Sequence, residues 1–191
     1  MNLKYTTIFN FNDFTNGISG DNRHIYDVLK KKTFLNNEIL LEKELDIISD
    51  LTVNEIDKFK FDFILIPESS NSFMVDLCIK YNFNYIILKK NTLDNIANGL
   101  NEIDNIQKSQ KISIINHIQK IKENNQTLKM QDFKGSQRQI LSYLLFDIKL
   151  DSSKNYLIFD DSVFSGHTLK SIQNTLTKQQ CSFNTLIMFS F

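Results

Sequence analysis

The feature that most limits what this chain can become is a set of short, nearly continuous apolar runs: FDFILI at 61–66, NYIILKK at 84–90, NYLIF at 155–159 and NTLIMFSF at 184–191. Runs without a polar face must be buried on both sides, which is the condition of strands inside a parallel sheet. Between them lie helical patterns, among them FMVDLCIKY from Phe73 and LKSIQNTLTKQQ at 169–180. Alternation of this kind predicts an α/β doubly wound domain with right-handed crossovers. Ligands of such sheets bind beyond the carboxyl ends of the strands.

The remainder of the chain reads less sharply. YTTIFNF at 5–11 could be a further strand, and HIYDVLKKKTF and NEILLEKELDIISDL have the spacing of amphipathic helices. Helices are expected around KISIINHIQKI and SQRQILSYLLF, and the polar ENNQTLKMQDFKG between them reads as a mobile loop. With 191 residues, 41% of them apolar, one domain is expected, made of a variable part (1–60) and a core (61–191). Only one proline is present, Pro67, directly after FDFILI and opening the turn-forming PESSNS.

Charge narrows the partners. Twenty-two Lys and Arg balance 22 Asp and Glu, so the cationic surplus of a dedicated nucleic-acid binder is missing. Arg23 and Arg138 are the only arginines, which leaves few groups for bidentate recognition of a carboxylate or phosphate. Cys78 and Cys181 are far apart and outside any CxxC, giving no support for a zinc site or disulfide framework. No window reaches the ~18 apolar residues of a membrane span, and MNLKYTTIFNF has no signal-peptide pattern, so a cytoplasmic, non-membrane protein is expected. His24 and His117 have no metal-ligand partners in sequence and receive no role.

The chemistry is concentrated in YLIFDDSVFSGHTL, residues 156–169. A strand delivers Asp160 and Asp161 to the sheet edge, where carboxylates accept hydrogen bonds from vicinal hydroxyls or act through a metal's water shell. Gly166 then permits a close turn. The loop amides, the Ser165 and Thr168 hydroxyls and the positive end of the next helix form a phosphate cradle. His167 is expected to be a solvent-facing first-turn residue. A strand-ending turn with a helix cap is the plainer reading of the two acids. Other phosphate motifs fit less well, since neither GxxxxGK[ST] nor GxGxxG occurs. A receiver domain pairs acids in this way too, but only about thirty residues follow Asp161, room for one helix and one strand.

This segment resembles the phosphoribosyl pyrophosphate (PRPP) signature of type I phosphoribosyltransferases: a hydrophobic strand, two acids and a Ser/Thr-Gly-x-Thr loop. The resemblance implies that fold, a mainly parallel sheet with a variable hood. It implies a transferase that moves a phosphoribosyl group from PRPP to a nitrogenous acceptor with Mg and releases pyrophosphate. Asp160 and Asp161 would hold the ribose 2- and 3-hydroxyls, with Mg carried by PRPP and reached by either acid through water. Ser162, Val163, Phe164, Ser165, Gly166, His167 and Thr168 would hold the 5-phosphate.

ILIPESSNS resembles the family's pyrophosphate loop, which implies that role for Ser69, Ser70, Asn71 and Ser72, and IILKK implies it for Lys89 or Lys90. A solvated strand end and an ordinary helix-capping loop are the alternatives. Lys129, Lys134 or Arg138 would belong to a flexible loop that closes over the substrate. Chain order is similar to that of ComF-like members, without their cysteine cluster, and a homodimer is implied. The first loop carries Glu68 and no glycine or basic residue. That leaves a second reading open: a regulatory protein that senses PRPP or a nucleotide on the same fold without turnover.

Overall fold

The computed structural model describes residues 4–11, 13–17, 21–31, 42–70, 72–126, 128–146, 148–163 and 166–190. Five strands, β1 (Thr6–Asn10), β2 (Phe63–Pro67), β3 (Tyr85–Leu88), β4 (Asn155–Ser162) and β5 (Ser182–Ser190), form one sheet in the order β1-β5-β4-β2-β3. All four pairings are parallel. The expected α/β class with a parallel sheet is therefore the observed one, and the uncertain YTTIFNF supplies edge strand β1.

The chain divides into two compact units, and the division does not fall at residue 60. Unit 1 comprises residues 1–88, 151–164 and 180–191 and contains the whole sheet with α1 (Asn22–Lys31), α2 (Glu42–Ile56) and α3 (Ser72–Lys80). The N-terminal part is thus built into the sheet unit rather than set beside it. Alternate strand residues such as Phe9, Ile64, Ile66, Leu157, Phe159, Leu186 and Met188 form one buried cluster with Ile25 of α1, Ile48 and Ile56 of α2, and Met74, Leu77 and Cys78 of α3. This follows from the pleat, which sends every second side chain to the same face. Tyr26 docks α1 onto the β1–β5 edge, its ring 5.4 Å from Phe189 and 5.2 Å from Phe11.

Unit 2 comprises residues 89–150 and 165–179 and contains α4 (Leu93–Glu102), α5 (Lys108–Glu123), α6 (Gly135–Leu141) and α7 (His167–Lys178). Thr92 caps α4 by accepting from the Asn95 amide, the satisfaction of an orphan donor that N-cap threonines provide. Ile96 and Leu100 of α4 and Ile114, Ile118 and Ile121 of α5 are buried at helical spacing. In the segment expected to be a mobile loop, Leu128, Met130 and Phe133 are buried around a 3-10 turn, Met130–Asp132. Sparse apolar residues in a polar run give no period from which that burial could be read.

Both cysteines are buried and free. Burial pushes the Cys78 thiol up to about 12 and raises that of Cys181 as well. The thiolate is the nucleophile. Native protein at pH 7.5 is accordingly expected to resist maleimide while guanidinium-unfolded protein takes up two labels, read by mass spectrometry; rapid native labelling would contradict the packing.

Candidate functional site at the β2–β4 crevice

The position of the site follows from the direction of the chain. From β2 the chain moves to its neighbour β3, and from β4 it moves to β5 on the opposite side. The sheet order therefore reverses between the adjacent strands β2 and β4, the switch point at which open α/β sheets leave a crevice.

Pro67 marks the end of the β2–β4 pairing. The amides of Ile64 and Glu68 donate to Asn84 and Leu88 on the β3 side, so the residues between them that share the opposite parity direct their amides toward β4. Pro67 has no amide to give. The β2–β4 pairing runs through Leu65 and Ile158 and stops there. Pro67, expected just after the strand, is its last residue and is buried.

β4 also differs from expectation at its end, since it continues through both acids to Ser162, still paired with Phe189 of β5. Consecutive strand residues leave on opposite faces, so the two acids draw on separate hydrogen-bond partners. Asp160 and Asp161 are only 6% and 5% exposed, which requires partners. Ser70 Oγ donates to Asp160 Oδ1 at 2.8 Å, and the Asp161 amide donates to the same oxygen at 2.9 Å. Ser162 Oγ donates to Asp161 Oδ1 at 3.1 Å and lies 3.5 Å from Tyr26 Oη.

Two groups that the sequence suggested separately, the loop after β2 and the acid pair, are thus joined inside unit 1 by the Ser70–Asp160 bond. Ser70 sits in a turn closed by its amide on the Pro67 carbonyl, and Ser72 begins α3. Lys89 and Lys90 follow β3 directly, and Lys89 is exposed. Asn71, Phe164 and Ser165 lie outside the described residues. Tyr26 was not singled out by sequence; its helix was recognised, but contact with Ser162 over 136 residues carries no local signal.

In unit 2, α7 begins as its motif demands. Gly166 is its N-cap with φ 67°, a left-handed conformation that glycine adopts without steric cost, and the Lys170 amide donates back to its carbonyl. His167, expected to be solvent-facing, is half-buried. Its Nδ1 is buried and has no hydrogen-bond partner among the described residues, as is true of Ser171 Oγ and Asn174 Nδ2 at helical spacing along the same face. Burial holds the His167 pKa below 6.5, with the Arg138 and Lys170 charges adding to the effect. Arg138, expected on a loop, lies in α6 with Nε donating to the Phe133 carbonyl at 2.6 Å. Lys129 is the N-cap of the 3-10 turn and Lys134 the N-cap of α6. Lys170 completes a positive group at a helix N-terminus that sequence reading did not assemble.

A histidine held below its ordinary pKa contributes stability that is complete above about 6.5 and is lost as pH falls through the lowered folded value. Thermal stability is therefore expected to decline below pH 6.5, and His167→Gln to flatten that decline. Parallel profiles for both proteins between pH 5 and 8 would contradict it.

Among the described residues no group of three or more His, Cys, Asp or Glu side chains could by itself hold a metal ion. The donors present, two carboxylates beside hydroxyls at a sheet edge, suit a hard cation that arrives with its own oxygen ligands. Among the described residues no helix is long and apolar enough to cross a membrane. Compared with known proteins, the chain matches no protein-family model and no curated protein sequence.

Proposed function

We propose that the protein binds PRPP with Mg and transfers its phosphoribosyl group to a nitrogenous acceptor, on a type I phosphoribosyltransferase-like fold. The observation that carries this reading is the acid pair at the β2–β4 switch point, tied to the pyrophosphate-type loop by the Ser70–Asp160 hydrogen bond. Asp160 and Asp161 offer acceptor oxygens to the vicinal ribose hydroxyls, with Ser70 exchanging its bond to Asp160 for one to the substrate. The segment 162–168 takes the 5-phosphate: Gly166 lets the turn close, and the α7 amides with Lys170 and Arg138 supply positive potential. On the resemblance, Ser69, Ser70 and Ser72 would take the departing pyrophosphate, as would Lys89 or Lys90.

In the reaction the acceptor nitrogen forms a bond to ribose C1 as the C1–O bond to pyrophosphate breaks. The bonding pair leaves with the pyrophosphate, and the acceptor loses its proton to solvent. Mg, when bound, would neutralise pyrophosphate charge, with Asp160 or Asp161 holding one of its waters. The chain's own work is to position the two reactants and to balance charge in a partly dry crevice.

Glu68, on the loop assigned to pyrophosphate, favours a second reading in which PRPP or a nucleotide is sensed without turnover. Calorimetric titration of PRPP with and without Mg tests binding, and pyrophosphate release with a panel of acceptor bases tests chemistry. Mg-dependent binding with release supports the transferase, and binding without release with any acceptor supports the sensor. Absence of binding to folded protein overturns both.

A further inference from the structure

Unit 1 contains a second concavity that the carboxylate pair does not use. A cavity of about 440 Å³ opens beyond the carboxyl end of β1, between the loop 13–16, the start of α1 and one face of α2. This is the size range of small-molecule sites. Its loop is fixed in advance. The Asn22 side chain, 2% exposed, donates to the Asn10 carbonyl at 2.8 Å and accepts from Thr15 Oγ1 at 2.8 Å. The Asn22 amide donates to the Asp13 carbonyl at 3.0 Å, and Asn10 Nδ2 to Asp13 Oδ2 at 3.1 Å.

Two observations on this rigid frame select a ligand. Phe14 is 76% exposed and lines the cavity together with the exposed Leu51 of α2, its ring open to water. Among the described residues the polar lining contains the Asp13 carboxylate, the Glu55 carboxylate, which is paired with Lys58 Nζ, and the Asn16 amide, and no lysine or arginine. An anion would meet the Asp13 carboxylate there, and Glu55 already holds its own cation. A donor-bearing ring would meet acceptors and a stacking face.

The geometry points to a binding site for a flat, uncharged nitrogen heterocycle carrying an amino group. The ring stacks on Phe14, the amino hydrogens donate to Asp13 or Glu55, and the ring edge pairs with the Asn16 amide. The site is independent of the phosphoribosyl reading, because its chemistry comes from its own lining. Asn10 is paired with Ser190, and Ser162 with Phe189. The cavity therefore opens at the same sheet edge as the acid pair, two strand spacings or roughly 10 Å away.

The test is a titration of the full chain, without PRPP, using adenine and cytosine against uracil and tetramethylammonium, followed by ligand-observed NMR. Adenine and cytosine are expected to bind in the sub-millimolar range, with uracil and tetramethylammonium about tenfold weaker or more. Phe14→Ala and Asp13→Asn should each weaken binding about tenfold. Leu51→Gln, on α2, should weaken it too and serves where a loop variant loses its fold. Asp160→Asn with Asp161→Asn should leave this affinity unchanged, which separates the outcome from that of the PRPP titration. The proposal falls if the amino-bearing rings fail to bind, or if tetramethylammonium binds as well as they do. It falls equally if affinity survives Phe14→Ala and Leu51→Gln, or disappears only in the acid-pair variant.

Discussion

Replacing Asp160 and Asp161 together by Asn is expected to reduce PRPP affinity by roughly 100-fold or more while moving Tm by only a few degrees. The loss arises because both vicinal hydroxyls exchange charged acceptors for neutral ones, and because any water of a bound Mg loses its anionic partner. The small stability change follows from the local bonds. Asp160 Oδ1 accepts from Ser70 Oγ and the Asp161 amide, and an Asn carbonyl oxygen can accept both. With each residue about 95% buried, removing charge also relieves a desolvation cost. Alanine would be a poorer choice, since it leaves Ser70 Oγ without this acceptor, at about 1–3 kcal/mol for a buried polar group. Calorimetry on a double mutant with wild-type circular dichroism decides the matter. Undiminished affinity would remove the acid pair from the site, and with it the transferase reading.

The part of this structure that sequence made legible is the part that local chemistry determines. β2, β3, β4 and β5 were visible because strands buried on both faces need near-continuous apolar runs. β1 was uncertain because YTTIFNF has polar positions, as an edge strand permits. Strand order is a different matter: that β2 lies beside β4 rests on which buried faces fit, and no residue pattern announces it.

Pro67 illustrates the boundary. Its turn signal was plain, but the consequence lies in the amide it lacks on the β4 side, which requires the register to be known. The same holds for the site. The acid pair and Gly166 stood out in one contiguous motif, whereas Ser70 meets Asp160 across 90 residues. The half-burial of His167 has no local signal, because a first-turn position is usually solvated and the neighbours that matter, Arg138 among them, come from another helix. The burial of Leu128, Met130 and Phe133 in the polar stretch 123–135 is equally hidden, its few apolar residues being well placed rather than numerous.

Gly166→Val should test the phosphate role proposed for the start of α7 by itself. At φ 67° a β-branched residue is strained by about 1–3 kcal/mol, and Gly166 is buried, so the chain will yield by shifting the first turn of α7. Its amides then no longer converge on one point, and the positive group of Lys170 and Arg138 loses the dipole beside it. PRPP affinity is expected to fall by roughly 100-fold and Tm by several degrees. Asn tolerates the left-handed region, so Gly166→Asn should keep affinity within about tenfold of wild type and most of the stability. The comparison is made by PRPP and inorganic phosphate titration of both variants beside the wild type. If the folded Val variant binds phosphate as tightly as the Asn variant, the turn that opens α7 is not an anion site, and the 5-phosphate must be sought elsewhere on the sheet edge even where Asp160 and Asp161 prove essential.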